Sequence, residues 1–281
     1  MHTTLITTAD LEPLLGKPDV VVCDVRHDLM HPETLGPAEY AKGHVPGAQF
    51  VHLDRDLSAR KTGTNGRHPL PYPDAAAAVF SRLGIGDGSQ VIVYDQGQGM
   101  YASRLWWMLR WLGHDAVAVL DGGYAKWTRE GREVTTEVQE PQPALFRIRR
   151  VIPTVSASGV RASLHRHTLF LIDARAPERF RGDVEPIDPV AGHIPGAHNR
   201  PWTQNLNADG TFKHPAFLRA EFNALLEGAS HETVVHQCGS GVSACHNLLA
   251  MEVAGFPGTR LYPGSWSEWS ADPSRPVARE P

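Results

Sequence analysis

The stretch Val20-Val21-Val22-Cys23-Asp24-Val25-Arg26 has a counterpart in Leu169-Phe170-Leu171-Ile172-Asp173-Ala174-Arg175. Both are short apolar runs that end in Asp-x-Arg, a pattern typical of a buried β-strand leading into a loop. At the same spacing, Gly43-His44-Val45-Pro46-Gly47-Ala48 recurs as Gly192-His193-Ile194-Pro195-Gly196-Ala197. A repeat of this length indicates two whole domains built on one plan, not a solenoid of small units.

Hydrophobic periodicity predicts alternating strands and helices in both halves. Strands are expected near 20–24, 91–94, 116–120, 169–173, 233–237 and 259–262. Helices are expected near 74–83, 100–112, 123–130, 215–226 and 243–254, with Asp74 as an N-cap and Gly84 and Gly113 as stops. The alternation predicts an α/β fold of two tandem domains, each a mainly parallel sheet flanked by helices. We expect domains at 1–138 and 154–281, joined by a proline-containing linker at 139–153.

The overall composition is that of a globular protein: the 281 residues are 41% hydrophobic and 21% charged. A net charge of -4 gives no support for a nucleic-acid or membrane-surface partner, and no apolar run is long enough to cross a bilayer. The opening Met1-His2-Thr3-Thr4-Leu5 lacks the features of a secretion signal. Three cysteines without metal-ligand spacing suit a reducing compartment, so we expect a cytoplasmic protein with no metal site.

The most distinctive local feature is a glycine-rich loop, Cys238-Gly239-Ser240-Gly241-Val242-Ser243, between a predicted strand and a predicted helix. Its glycines allow successive N–H groups to point inward, and the helix start adds partial positive charge. Such an environment favours the thiolate, the nucleophilic form of cysteine, over the protonated thiol. A buried structural cysteine is the alternative, and the glycine-rich loop favours a reactive one. The matching position in the first half is Asp95, so we expect one active site, in the second domain.

The same loop resembles the active-site loop of the 3-mercaptopyruvate sulfurtransferases, two-domain members of the rhodanese family whose loop usually ends in Thr. The resemblance covers nearly the whole chain and implies two rhodanese-like domains, the N-terminal one non-catalytic. It implies a sulfurtransferase that moves sulfur from 3-mercaptopyruvate, through a persulfide on Cys238, to cyanide or to a thiol such as thioredoxin or a small thiol. No cofactor is implied. Gly239, Gly241, Val242 and Ser243 would bind the substrate anion.

Further site residues follow from the same resemblance. Arg179 matches the arginine that anchors the substrate anion, and its planar fork suits a carboxylate. Many members have a second arginine in a Glu-Pro-Arg segment, but this chain has Glu185-Pro186-Ile187-Asp188. A second guanidinium would have to come from Arg175, Arg181 or another cation.

A Ser-His-Asp relay is also implied, formed by Ser240 with His68 and Asp54, both within the predicted first domain. In such a relay Asp orients His, and His polarises Ser toward the substrate carbonyl. His44 and His193, in contrast, recur in both halves and are predicted to be structural, fixing the turn of each Gly-His-x-Pro-Gly-Ala segment.

Three other functions compete with this interpretation. Thiosulfate:cyanide sulfur transfer could use the same site, but neutral Gly239 and Ser240 suit a monoanionic keto-acid better than a dianion. A cysteine phosphatase needs Cys-x5-Arg, and the sixth residue after Cys238 is Ala244. A non-catalytic binding or redox-sensing module is the third. Cys23 and Cys245 are predicted to be packed in the core and unreactive.

Overall fold

The computed structural model describes residues 1–166 and 168–279, and the chain forms two compact units. The first unit contains Met1–Ser58, Pro71–Ile152 and Ala208–Phe212. The second contains Ala59–Leu70, Pro153–Asn207 and the chain from Lys213 onward. No helix in the described part of the chain has both the length and the apolar character needed to cross a membrane.

The first unit is a five-stranded parallel sheet in the order β1-β5-β4-β2-β3. The strands are β1 Leu5–Ile6, β2 Val20–Asp24, β3 Gln49–Phe50, β4 Gln90–Tyr94 and β5 Val117–Leu120. The α-helices are α1 Thr8–Leu11, α2 Leu35–Lys42, α3 Leu53–Asp56, α4 Pro73–Arg82, α5 Ala102–Trp111 and α6 Gly123–Arg129. A 3-10 turn spans Glu12–Leu14.

The second unit is a four-stranded parallel sheet in the order β7-β6-β8-β9. Its strands are β6 Phe170–Asp173, β7 His198–Asn199, β8 Val234–Gln237 and β9 Arg260–Leu261. Its α-helices are α7 Ala157–Ser163, α8 Pro177–Arg181, α9 Pro215–Leu226, α10 Ala244–Val253 and α11 Ser265–Trp269. Two 3-10 turns span Trp202–Asn205 and His231–Thr233.

The predicted α/β class, with a parallel sheet in each half, is therefore confirmed. Gly84 and Gly113 end α4 and α5 with φ of +78° and +90°, as predicted for helix stops. The predicted N-cap Asp74 is wrong: Tyr72 is the N-cap and Pro73 takes the first helical position, where its fixed φ suits the helix.

Two segments lie in a different unit from the one that the contiguous ranges 1–138 and 154–281 predict. Residues 59–70 pack with the second unit, and residues 208–212 pack with the first. The segment 139–153 has no helix or strand, as expected of a connection. It is nonetheless anchored along the first unit, because the N–H groups of Ala144 and Ile152 donate to the carbonyls of Ser81 and Trp111.

A buried ion pair stabilises the end of the same strand in each unit. Asp173, at the end of β6, accepts from Nε and Nη2 of Arg175 at 2.7–3.1 Å, and Asp24 and Arg26 form the matching pair after β2. The arginine also reaches the next repeated segment, since Nη2 of Arg175 donates to the carbonyl of Gly192 at 2.8 Å. The pair thus joins the strand to the Gly-His-x-Pro-Gly-Ala turn.

The repeated histidines are structural, as predicted. Nδ1 of His44 lies 2.9 Å from the carbonyl of Tyr40, and Nδ1 of His193 lies 2.7 Å from that of Phe180. Each imidazole also stacks on the ring of the same residue, at centroid distances of 3.9 Å and 3.8 Å. Each histidine therefore fixes its turn against the preceding helix.

Replacing Asp173 by Asn should lower the free energy of unfolding by about 3 kcal/mol, because Arg175 would lose the main partner of a buried charge. Equilibrium urea unfolding measures the change. Asp183→Asn is the matched control, since it removes the same charge from an exposed pair with Arg181 and should cost less than about 0.5 kcal/mol. Equal losses in both variants would contradict a stabilising role for the buried pair.

Candidate active site

Cys238 lies directly after the carboxyl end of β8, between that strand and α10, as predicted. Its side chain is buried, with 1% of the residue exposed. The N–H of Gly241 donates to Sγ of Cys238 at 3.1 Å. One loop amide therefore already binds the sulfur.

Helix α11 orients the peptide groups on either side of Gly239. The N–H groups of Trp266 and Ser267 donate to the carbonyls of Cys238 and Gly239, each at 2.9 Å. In a trans peptide the carbonyl and the following N–H point in opposite directions. The N–H groups of Gly239 and Ser240 are consequently directed away from α11 and form part of the same turn as that of Gly241.

Glycine is required at position 241 for two reasons. Its φ is +77°, in the left-handed region that side chains disfavour. A Cβ atom there would also lie 2.3 Å from the carbonyl oxygen of Pro263, far closer than van der Waals contact. Only glycine lets the loop close so that its amide reaches the sulfur of Cys238.

Ser265 holds the backbone of Cys238, and no sequence-based prediction assigned it a role. Its hydroxyl accepts from the N–H of Cys238 at 3.1 Å and donates to the carbonyl of Tyr262 at 2.9 Å. Its φ of +55° is uncommon for a residue with a side chain. The segment Tyr262-Pro263-Gly264-Ser265-Trp266 repeats Leu120-Asp121-Gly122-Gly123-Tyr124, so the matching residue of the first unit is Gly123, with φ +53°. The internal repeat held the signal, because a serine replaces a glycine at this one strained position.

The counterpart of Cys238 in the first unit is Asp95, and it occupies its own loop as an anion. The carboxylate accepts from the N–H groups of Gly97 and Gly99 through Oδ1, and from those of Tyr101 and Ala102 through Oδ2, at 2.9–3.3 Å. This geometry demonstrates that the loop built after this strand collects amides around a negative charge. It also explains why the first unit offers no free cradle.

Arg179 lies beside the loop, close to where the resemblance implies that it should be. Its guanidinium nitrogens would be 3.6 Å and 3.7 Å from a Cβ atom on Gly239. Nη2 donates to Glu185 at 2.7 Å and to Asp188 at 3.2 Å. Burial would raise the pKa of Glu185, but the hydrogen bond from Arg179 and the N–H groups of Asp188 and Ile187 more than offset this and lower it.

A second guanidinium comes from Arg67, which the sequence analysis did not name. Its Nη2 would lie 2.7 Å from a Cβ atom on Gly239, and its Nη1 is hydrogen bonded to Asp188. The N–H of Arg67 donates to Ser267 Oγ at 3.0 Å, which fixes the segment 59–70 against α11. The only sequence signal was its place directly before His68.

The other two arginines considered for this place have different surroundings. Arg175 forms a buried ion pair with Asp173, and its guanidinium packs over the ring of Trp266. Burial disfavours its charge, but the carboxylates of Asp173 and Glu185 outweigh this, and together with the field of Cys238 they raise the pKa of Arg175. It therefore supplies a permanent positive charge near the sulfur. Arg181 is half exposed and pairs with Asp183.

The structure brings together two members of the predicted relay. Nδ1 of His68 lies 2.7 Å from Oγ of Ser240, and both residues are buried within the second unit. His68, expected within the first domain, lies in a segment that packs with the second unit. Asp54 belongs to the first unit, in α3, where its carboxylate lies 3.9 Å from Nε2 of His27. Its place in the relay stays a prediction.

The remaining loop residues and cysteines have clear positions. Val242 is buried and Ser243 is the N-cap residue of α10, so both belong to the turn that begins the helix. Cys245 is fully buried, with Sγ 3.4 Å from the carbonyl of Gly241. Burial, with the nearby charge of Asp24, raises the pKa of Cys23 to about 12. Cys23 and Cys245 are packed, as predicted.

Comparison with known proteins identifies the family. A model of the rhodanese-like domain matches residues 7–130 and 156–272. A probable 3-mercaptopyruvate sulfurtransferase of Pseudomonas aeruginosa is 48% identical, over 98% of this chain and 97% of that protein. A putative thiosulfate sulfurtransferase, SseB, of Mycobacterium tuberculosis is 42% identical, over 98% and 96%. The crystal structure of SseA, a 3-mercaptopyruvate sulfotransferase from Escherichia coli, has a TM-score of 0.81 and 33% identity, over 94% of this chain and 99% of that one.

The chain therefore belongs to the rhodanese family and carries two rhodanese-like domains in tandem. The family, the fold and the enzyme class expected from the sequence, a sulfurtransferase, are confirmed by these similarities. The relatives bear both donor names, mercaptopyruvate and thiosulfate, so the choice of donor depends on the site itself.

Replacing Gly241 by Ala should slow sulfur transfer about 100-fold, because the loop must open to relieve the contact with Pro263 and its amide then leaves the sulfur of Cys238. Initial rates of sulfur transfer to cyanide measure the change. Gly228→Ala is the control: φ is +91° there, but no atom lies within 4 Å of the added carbon. Equal rates in the two variants would contradict a role for loop closure.

Proposed function

We propose that this protein transfers sulfur from 3-mercaptopyruvate by a double-displacement route through a persulfide of Cys238. The observation that carries the proposal is the convergence, within the second unit, of a buried thiol, a loop amide on its sulfur, and a Ser240–His68 pair. A hydroxyl that donates a hydrogen bond to a carbonyl oxygen assists only a sulfur donor that has a carbonyl. Thiosulfate has none.

The first half-reaction forms one S–S bond and breaks one C–S bond. The Cys238 thiolate attacks the donor sulfur, and the C–S bonding electrons pass to the methylene carbon, giving the enolate of pyruvate. The proton of the donor thiol converts the enolate to pyruvate, and Cys238 is left as a persulfide anion. The loop amides and the positive charge of Arg175 stabilise sulfur that carries negative charge.

Ser240 and His68 act on the carbonyl of the donor. When the His68 proton is on Nδ1, the imidazole donates to Ser240 Oγ, and the hydroxyl is left to donate to the carbonyl oxygen. Negative charge grows on this oxygen as the C–S bond breaks, so the hydrogen bond strengthens toward the transition state. Asp54 is retained as the proposed third member, orienting His68.

Arg179 and Arg67 bind the carboxylate of the donor beside Gly239. Two guanidinium groups offer the parallel donors that a carboxylate accepts. In the second half-reaction, cyanide or a thiolate attacks the outer sulfur of the persulfide and restores the Cys238 thiolate. A small thiol or a thioredoxin-like protein is the proposed biological acceptor.

Incubation with 3-mercaptopyruvate should add one sulfur to the protein, about 32 Da, on Cys238, the nucleophilic thiol. Cyanide should then remove it, and intact-mass spectrometry with peptide mapping measures both steps. Cys238→Ala should gain no sulfur, whereas Cys245→Ala should load normally because its thiol is packed in the helix. Loading of the Cys238→Ala variant would refute the proposal.

Ser240→Ala should separate the two donors. We expect kcat/KM to fall about 100-fold with 3-mercaptopyruvate, the usual cost of removing one oxyanion donor. With thiosulfate the leaving group is sulfite, no enolate forms, and the change should stay within about threefold of wild type. Steady-state rates with each donor and one common acceptor measure the effect. Equal losses with both donors would exclude the carbonyl-polarising role.

A further inference from the structure

Asp188 takes part in no step of the proposed mechanism, yet it contacts both guanidinium groups beside the loop. Its Oδ2 accepts from Nη2 of Arg179 at 3.2 Å, and its Oδ1 accepts from Nη1 of Arg67. The carboxylate is buried, with 3% of the side chain exposed, whereas the two arginines keep 25% and 16%. The buried carboxylate thus pairs with both guanidinium groups, while part of each guanidinium side chain remains exposed.

The backbone around Asp188 is built to present this carboxylate. Glu185 Oε1 accepts from the N–H groups of Ile187 and Asp188, both at 3.1 Å, while also pairing with Arg179. The short Glu185-Pro186-Ile187-Asp188 turn therefore places two buried carboxylates against Arg67 and Arg179, the pair of guanidinium groups called the clamp below. This is the segment in which many members of the family have a second arginine.

The charges of the clamp cancel. Two cations, Arg67 and Arg179, face two anions, Glu185 and Asp188, and Arg175 is matched by Asp173. A neutral clamp still donates hydrogen bonds, but it offers little net attraction to a second negative charge on the ligand. At the same distance from these two carboxylates, a dianion is repelled twice as strongly as a monoanion.

We propose that Asp188 is a positioning residue that sets donor selectivity: by bridging Arg67 and Arg179 and cancelling one of their charges, it makes the clamp favour a monoanionic carboxylate donor over dianionic thiosulfate. The inference rests on the proposed function. The neutral Gly239-Ser240 pair is compatible with a monoanionic donor, and Asp188 adds the negative charge that disfavours a dianionic one. Glu185 supports it by shaping the turn.

The decisive measurement is the ratio of kcat/KM for thiosulfate to that for 3-mercaptopyruvate, taken with one small thiol as acceptor. Asp188→Asn keeps the shape and removes one negative charge, so the ratio should rise about tenfold, chiefly through a lower KM for thiosulfate. Asp188→Glu should stay near the wild-type ratio. Asp183→Asn makes the same change of net charge in the exposed pair with Arg181 and should leave the ratio unchanged.

A second variant keeps the test valid if Asp188→Asn folds poorly. Arg67→Gln removes a cation from a partly exposed site, so the ratio should move the opposite way, toward mercaptopyruvate. Combining Arg67→Gln with Asp188→Asn restores the net charge, and the ratio should return toward that of wild type.

The outcomes separate the two proposals. Loading of Cys238 by neither donor would overturn the proposed function and this inference with it. Loading by both donors with a ratio that Asp188→Asn leaves unchanged, or with parallel losses for both donors, would overturn the inference alone. Opposite shifts in Asp188→Asn and Arg67→Gln would establish it.

Discussion

Negative charge held by backbone amides after one central strand is the interaction on which both units depend. In the first unit the charge belongs to Asp95, whose two oxygens accept four N–H groups. In the second unit Cys238 takes the same place, with one amide already on its sulfur. The carboxylate of Asp95 fills the loop that holds it and has nothing to transfer. A cysteine sulfur, in contrast, can exist as a thiolate, bind a second sulfur as a persulfide, and transfer that sulfur to an acceptor.

The surroundings of this charge are assembled from elements that do not follow one another in the sequence. Helix α11 binds the loop carbonyls, Ser265 holds the amide of Cys238, and the segment 59–70 contributes Arg67 and His68. Each contact restrains a different part of the same short loop. The rigidity that catalysis requires therefore comes from many modest hydrogen bonds, not from one strong one.

Sequence patterns were sufficient for the features that repeat or that follow hydrophobic periodicity. The duplicated strands, the parallel sheets, the helix stops at Gly84 and Gly113, and the structural roles of His44 and His193 were all predicted correctly. Cys238 was recognisable because its glycines have a local physical meaning. Two-residue strands such as His198–Asn199 were missed, since so few residues have no measurable period.

Apart from the N-cap of α4 and the shortest strands, the features that the sequence did not predict are contacts between distant residues. Arg67 has no local pattern that separates it from any surface arginine, and only its approach to Gly239 gives it importance. The packing of His68 with the second unit could not be read from contiguous domain boundaries, because its segment contacts residues far along the chain. Ser265 was the one missed residue with a usable signal, a serine where the repeat has a strained glycine.

The packing of residues 59–70 with the second unit also has a consequence for how the protein is made. Chains are synthesised from the N-terminus, and domains generally fold as units in that order. Arg67 and His68 leave the ribosome long before Cys238 and Ser240 exist, so they must wait for a partner encoded far downstream. The entropic cost of closing a loop rises only slowly with its length, so a contact of this range remains affordable once both segments exist. The arginines beside Gly239 and the Ser240–His68 pair can therefore come together only after the chain has been synthesised through the loop that follows β8.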